Sequence, residues 1–128
     1  MKRLYLSVGL IVLMAAACGV HIWHISTFTG QLTGLLSQAQ ERVEREDWDG
    51  AAQLTHQAKD QWQANEGYLH ITLRHADIDA ILLSMDETLA FLEGDEQQPA
   101  EYAAANARLI GQLELLAEAE KPTLTNLF

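Results

Sequence analysis

Histidine and aspartate side chains stand close together near the middle of the chain, in an order that is typical of metal sites. The segment from His75 to Asp79 reads His-x-Asp-x-Asp, and imidazole and carboxylate groups are common ligands of zinc and related ions. The hydrophobic pattern places this segment on a helix, where Asp77 and Asp79 point to different faces. His75 and Asp79 are four residues apart and form at most a pair, so the segment alone does not make a metal site.

Histidines recur at helical spacing in two other places. His56 and Asp60 are four residues apart, which suits a simple surface pair. His21 and His24 are three apart near the end of an apolar run, where we expect interfacial polar residues beside Trp23. Two ligands do not complete a metal site without others. We therefore predict no metal, cofactor or catalytic residue. A binder of metals or cationic ligands stays an alternative, with the candidate residues His56, Asp60, His70, His75 and Asp79.

An enzyme is the least favoured class. The single cysteine, Cys18, lies inside the apolar run, and residues 28–128 offer only the serines Ser37 and Ser84, without a glycine-rich nucleophile turn. Paired carboxylates are numerous, as they are on any acidic surface, so they do not identify an acid and base pair. We predict that the protein is not an enzyme.

The apolar run is the element that must position everything else. Residues 4–25 contain no Asp, Glu, Lys or Arg and follow directly after Lys2 and Arg3. About 20 apolar residues suffice to cross a bilayer as a helix, and the basic pair orients the N-terminus towards the cytoplasm. We predict a single-pass anchor in the cell membrane, residues 1–27, and an extracytoplasmic acidic helical domain, residues 28–128.

Two alternatives to a retained anchor stay open. The sequence Ala-Ala-Ala-Cys at residues 15–18 resembles a loose bacterial lipobox, which would make Cys18 a lipidated N-terminus, and an Ala-x-Ala-like site permits ordinary cleavage. Against the lipobox, Ala15 stands where Leu is favoured, and the apolar run continues beyond the cysteine to Ile25. Trp23 also lies where an interfacial aromatic residue is expected at the outer end of a span.

Charge restricts the possible partners. All eighteen acidic residues follow the apolar run, together with six of the eight basic ones, which gives the outer segment a formal charge of −12. Nucleic acids and anionic lipid headgroups are bound through Lys and Arg, so such a surface repels both. We predict no nucleic-acid partner. The expected partners are the lipid bilayer, through residues 4–25, and another membrane or envelope protein; the sequence leaves the oligomeric state open.

Four amphipathic helices are predicted after residue 26, which gives an all-α fold: one transmembrane helix followed by a small antiparallel bundle of two helical hairpins. The apolar positions of the first recur at helical spacing, with Gly30 and Gly34 loosening its join to the anchor. Residues 46–52 are expected to form a tight turn whose acidic residues cap the second helix, with Trp48 packing the corner. Trp62 is expected to enter the core, and the helix to end near Asn65. The first two helices present the apolar residues Leu32, Leu35, Leu36, Ala39, Val43, Ala51, Ala52 and Ala58.

The third predicted helix has the most regular pattern in the chain. Its apolar residues step by four and three over three heptads, which is typical of a buried seam. The seam contains Ile71, His75, Ile78, Leu82, Met85, Leu89 and Leu92, widened by Ile81. We expect His75 to be a hydrogen-bonded core residue; the alternative is a pH-sensitive element.

Prolines bound the fourth predicted helix. Pro99 stands where a helix tolerates proline at its start, and Pro122 is expected to end the helix. Asn106 adds one polar group near its apolar side. The tail after Pro122 is apolar enough that we expect Leu124, with Leu127 or Phe128, to fold back onto the bundle.

Several of these segments together resemble the domain-of-unknown-function family 4363. They are Lys2-Arg3 before the apolar span, Asp47-Trp48 with Ala51-Ala52, Trp62, His75-Ala76-Asp77-Ile78, and Leu124-Thr125-Asn126-Leu127. The resemblance covers nearly the whole chain. It implies a small bacterial protein with one N-terminal membrane helix and a helical remainder. The family pattern has no cysteine at the position that Cys18 occupies here, which argues against the lipoprotein. No activity is implied, and no catalytic residue is transferred.

The function that we expect is a non-catalytic protein–protein interaction or accessory module at the cell envelope. Every apolar pattern is accounted for by a helical core, which leaves the polar faces as the surface for a partner. A lipoprotein, or a module that binds metals or cationic ligands, is the alternative.

Overall fold

The chain is α-helical throughout its regular structure in the computed structural model, which describes residues 1–72 and 74–125. The helices are α1 (Lys2–Glu44), α2 (Trp48–Ala64), α3 (Glu66–Thr72), α4 (His75–Glu93) and α5 (Pro99–Thr125). The predicted all-α fold, with a long apolar N-terminal helix followed by packed helices, is confirmed.

Helix α1 joins the predicted anchor and the first amphipathic helix into one element. It runs for 43 residues without interruption, which corresponds to about 65 Å at roughly 1.5 Å per residue. Gly30 and Gly34 lie inside it, so the expected loosening at these glycines is wrong. A glycine within a helix costs about 0.5–1 kcal/mol, and burial of the neighbouring Leu32 and Leu36 offsets this cost.

The C-terminal half of α1 forms a four-helix bundle with α2, α4 and α5. Helix α1 contacts α2 and α5, and α4 contacts the same two helices from the opposite side. Short connections join consecutive helices, so neighbours run antiparallel. The seven-residue helix α3 links α2 to α4 at the end of the bundle that is nearer to the apolar half of α1.

Two apolar clusters fill the bundle, one above the other. The larger lies near α3 and includes Ile25, Phe28, Trp62 and Leu69, each at most 5% exposed. The rings of Phe28 and Trp62 stack with centroids 5.9 Å apart, so the prediction that Trp62 belongs to the core is confirmed. The smaller cluster lies near the α1–α2 turn and contains Ala39, Val43, Ala51, Leu92 and Tyr102, with Trp48 half-buried against it.

Two buried polar contacts tie α5 to the other helices. The amide Nδ2 of Asn106 donates to the carbonyl oxygen of Leu36 in α1 at 2.9 Å. The hydroxyls of Tyr102 and Thr55 lie 2.9 Å apart, and Thr55 also donates to the carbonyl of Ala51. Burial raises the pKa of Tyr102 above its ordinary value, and the hydrogen bond with Thr55 opposes part of that rise.

The turn between α1 and α2 is closed by backbone hydrogen bonds. The amides of Glu46 and Asp47 donate to the carbonyls of Val43 and Arg42, which is the Schellman arrangement that commonly ends a helix. Glu46 therefore adopts a φ of 62°, a left-handed conformation that glycine prefers. The Asp47 carboxylate accepts from the Gly50 amide, so the predicted cap of the second helix is confirmed.

The predicted third helix is wrong at its start. Ile71 belongs to α3 and is 85% exposed, and His75, the first residue of α4, is exposed rather than buried in a seam. Arg74 adopts an extended backbone conformation, and this breaks the helical phase that related Ile71 to Ile78. From Ile78 to Leu92 the predicted apolar face of the helix is buried, apart from the partly exposed Leu82.

The predicted end of the fourth helix is also wrong. Pro99 opens α5 as expected, but the helix continues past Pro122 to Thr125. A proline removes one amide donor and crowds the carbonyl four residues earlier; at Pro122 this occurs in the last turn, where few later hydrogen bonds depend on it. The expected contacts of Leu124, Leu127 and Phe128 lie outside the residues and side chains that the structure describes.

Replacing Glu46 by Gly should stabilise the protein by about 1 kcal/mol, because the left-handed conformation costs an L-residue roughly 1–2 kcal/mol and costs glycine little. The measurement is urea unfolding of the full-length chain in detergent, followed by tryptophan fluorescence. Glu44→Gly is the matched control: it lies inside α1 and should destabilise by about 0.5–1 kcal/mol. Equal destabilisation by both variants would contradict the turn geometry.

Tyr102 should make the protein less stable in alkali. Because its pKa is raised in the folded state, the unfolded chain ionises first as the pH passes about 10, and the free energy of unfolding then falls by up to about 1.4 kcal/mol per pH unit. Tyr102→Phe removes the hydrogen bond with Thr55, so this variant should be less stable than the natural chain at pH 8. Its free energy of unfolding should decline less steeply above pH 10. Urea midpoints between pH 8 and 11 measure this; parallel declines would refute it.

Candidate functional site

The structure brings some of the candidate histidines together and separates others. The Nδ1 atoms of His70 and His75 lie 3.0 Å apart, across the junction of α3 and α4. His56 forms a hydrogen bond with Glu93 of α4, so the expected surface pair with Asp60 is not its contact. Within residues 1–72 and 74–125, no group of three or more His, Cys, Asp or Glu side chains is arranged to hold a metal ion.

The N-terminal half of α1 is an apolar surface that the bundle does not cover. Every residue from 4 to 20 is exposed, and the most apolar 18-residue window of α1 has a mean hydropathy of 2.1 with none of it buried. By length and composition this helix is able to cross a membrane, and a signal sequence passes the same test. An exposed apolar surface of this extent marks a site of interaction with another protein or a membrane.

The base of the bundle, residues 21–25 of α1 together with α3, is built around Tyr68. The Tyr68 hydroxyl contacts Nδ1 of His21, and its ring meets the His24 ring edge to face with centroids 4.8 Å apart. Both histidines were expected as polar residues beside Trp23 at the outer end of the span. They are half-buried under α3, whereas Trp23 is 68% exposed. Sequence reasoning missed Tyr68, because the short helix that carries it was not predicted.

The opposite end of the bundle is strongly acidic. Residues 41–49 and 93–101, which we call the acidic end, hold nine of the eighteen acidic residues of the chain and only two basic ones. All of these carboxylates except the half-buried Asp47 belong to exposed residues. They are Glu41, Glu44, Glu46, Asp47, Asp49, Glu93, Asp95, Glu96 and Glu101.

A shallow groove opens beside the acidic end. It has a volume of about 590 Å³ and lies between the start of α2 and the end of α4. Its walls include the half-buried Trp48 and the carboxylates of Asp49 and Glu93. An indole next to carboxylates suits the side chain of Lys or Arg, because the ring face and the anions both attract a cation.

Acidic residues on the sides of the bundle have basic neighbours. Lys59 lies 2.6 Å from Asp86, and Arg108 lies 3.8 Å from Glu87. At the acidic end, Arg42 lies 3.1 Å from Asp47, but the excess of seven negative charges remains. The clustering of these charges was not evident in the sequence, because it depends on the start of α2, just after the α1–α2 turn, lying beside the end of α4.

Comparison with known proteins gives one match. A family model described as a domain of unknown function (DUF4363) matches residues 20–127, which is most of the chain and includes the base, the bundle and the acidic end. Searches of curated proteins and of solved structures found no match.

Proposed function

We propose that this chain, which belongs to the DUF4363 family, is a membrane-anchored, non-catalytic interaction module of the cell envelope. The exposed apolar segment, residues 4–20, inserts into the bilayer, and the bundle stands outside the cytoplasm. Its acidic end docks onto a basic surface of another membrane or envelope protein. The observation that carries the proposal is α1, a single helix with an uncovered apolar half and a half that forms one wall of the bundle.

Burial in lipid is the use that best suits the exposed apolar segment. In a soluble protein, seventeen consecutive exposed residues without a charge would drive association, because their apolar surface stays in water. A bilayer removes that surface from water. All backbone hydrogen bonds of this segment are made inside the helix, as lipid requires. Lys2 and Arg3 directly precede the segment, whereas the next Lys or Arg residue after it is Arg42, and this asymmetry favours a cytoplasmic N-terminus.

The acidic end is the surface that best suits a protein partner. Its exposed carboxylates face solvent together and would attract a basic surface over a distance of about one Debye length, roughly 8–10 Å at physiological salt. Glu46 adds to this field from a left-handed backbone position, where glycine would fit with less strain. Strained positions of this kind cluster at functional sites, and this supports the choice of surface.

Membrane attachment should not depend on the only thiol of the chain. Cys18→Ser should leave the full-length protein in the membrane fraction after a high-pH carbonate wash, because the exposed apolar segment holds it by burial in hydrocarbon. Val12→Arg combined with Leu13→Arg, which places two charges at the centre of the segment, should release it. Release by Cys18→Ser alone would favour the lipoprotein instead.

Charge reversal at the acidic end should abolish capture of the partner. Glu44, Glu46, Asp95 and Glu96 are changed to Lys together, which leaves the cap of α2 and the His56–Glu93 contact intact. Crosslinking in native membranes, followed by purification and mass spectrometry, should recover a partner with the natural chain and lose it with this variant.

The matched control carries the same change of charge on other parts of the surface. Asp60, Asp79, Glu114 and Glu118 are exposed residues outside the acidic end, and their joint change to Lys should leave the partner captured. If both variants capture the partner equally, or if the natural chain captures none, the docking proposal is wrong.

A further inference from the structure

The exposed apolar segment is short for the membrane that it crosses. Its seventeen residues, 4–20, extend about 25 Å at roughly 1.5 Å per residue, whereas the hydrocarbon core is about 30 Å thick. Residues 21–25 contain no Asp, Glu, Lys or Arg and continue the same helix, and with them the length reaches about 33 Å. The outer edge of the hydrocarbon therefore falls within residues 21–25.

Helix α3 covers one side of those residues. Tyr68 contacts His21 through its hydroxyl and His24 through its ring. Ile25 is fully buried in the same cluster as Leu69. Helix α3 is thus held against α1 at the level where α1 leaves the hydrocarbon.

The outward side chains at this level are those that membrane interfaces favour. Ile71 is one turn further along α3 from Tyr68, on the same face, and is 85% exposed. Trp23 is 68% exposed on α1, and tyrosine and tryptophan are enriched at the boundary between hydrocarbon and headgroups. Arg74 is exposed just before α4, and a long basic side chain of this kind suits contact with lipid phosphates.

We propose that α3 is an interfacial helix, which lies in the headgroup region of the outer leaflet with Ile71 directed into the lipid. The base of the bundle is then seated on the membrane rather than held away from it on a stalk. This inference rests on the proposed membrane anchor and specifies how the domain meets the bilayer.

Seating the base fixes the height of the acidic end. The part of α1 from residue 25 to residue 44 rises about 30 Å, so, with α1 along the membrane normal, the acidic end stands at roughly this distance from the outer edge of the hydrocarbon. A partner must present its basic surface at that height, which identifies its class as a membrane protein with a compact external domain, or an envelope protein held close to the membrane.

The test measures the depth of single fluorescent labels in the full-length chain. In a Cys18→Ser background, one environment-sensitive probe is attached at Ile71→Cys, at Leu83→Cys or at Val12→Cys, and the protein is inserted into phosphatidylcholine vesicles. Leu83 is the matched control, because it is also apolar and 70% exposed. It lies about 12 Å along α4 from the first residue of that helix, and therefore further from the proposed interface. Nitroxide groups on lipid headgroups or at the chain centre quench nearby probes.

The headgroup nitroxide should quench the probe at position 71 at least threefold more than the probe at position 83, and the chain-centre nitroxide should quench the probe at position 12. Equal weak quenching at positions 71 and 83, with position 12 still quenched, would overturn the interfacial helix and leave the anchor standing. Lack of quenching at position 12 would overturn the anchor and, with it, this inference.

Discussion

The continuity of α1 is the constraint on which the rest of the structure depends. One helix of 43 residues has an N-terminal half without any cover and a C-terminal half that forms a wall of the core. A rigid helix transmits its orientation along its length, so whatever buries residues 4–20 also sets the direction of the bundle. Helices α2 and α5 pack against the second half, and α4 completes the bundle by packing against α2 and α5.

Packing against α1 explains the division of the bundle into a base and an acidic end. The larger cluster, around Phe28 and Trp62, gathers α2, α3 and α5 near the uncovered half of α1. The smaller cluster, around Tyr102, packs the opposite ends of the helices together. The turn through Glu46 lies at this end of the bundle, so residues 41–49 and residues 93–101 are neighbours there. Apolar burial thereby places the greatest charge density far from the exposed apolar segment, at an end of the bundle where water solvates the charges.

Local signals in the sequence predicted the parts of the fold that short-range chemistry decides. Asp47 as a cap, Pro99 as a first residue and Trp62 in the core follow from capping, proline geometry and periodicity. Gly30 was misread, because burial of neighbouring apolar residues outweighs a helix-propensity cost of about 1 kcal/mol. Pro122 was misread, because a proline in the last turn of a helix interrupts few later hydrogen bonds. His75 was placed in a core because periodicity alone does not detect the helix break before it, and the contact of Tyr68 with His21 joins residues too distant for any local pattern.

A nitroxide scan of α1 in vesicles tests its continuity most directly. Single cysteines carrying a spin label are placed at each residue from 14 to 34 in a Cys18→Ser chain, and mobility and oxygen accessibility are read by electron paramagnetic resonance. If α1 is continuous, the mobility and oxygen accessibility of the label should oscillate with a period of about 3.6 residues. The oscillation should keep its phase through Gly30, with no highly mobile position between the apolar segment and the bundle. A loss of phase with high mobility near residues 26–30 would contradict the continuity of α1, because a flexible hinge would then connect the N-terminal segment to the bundle.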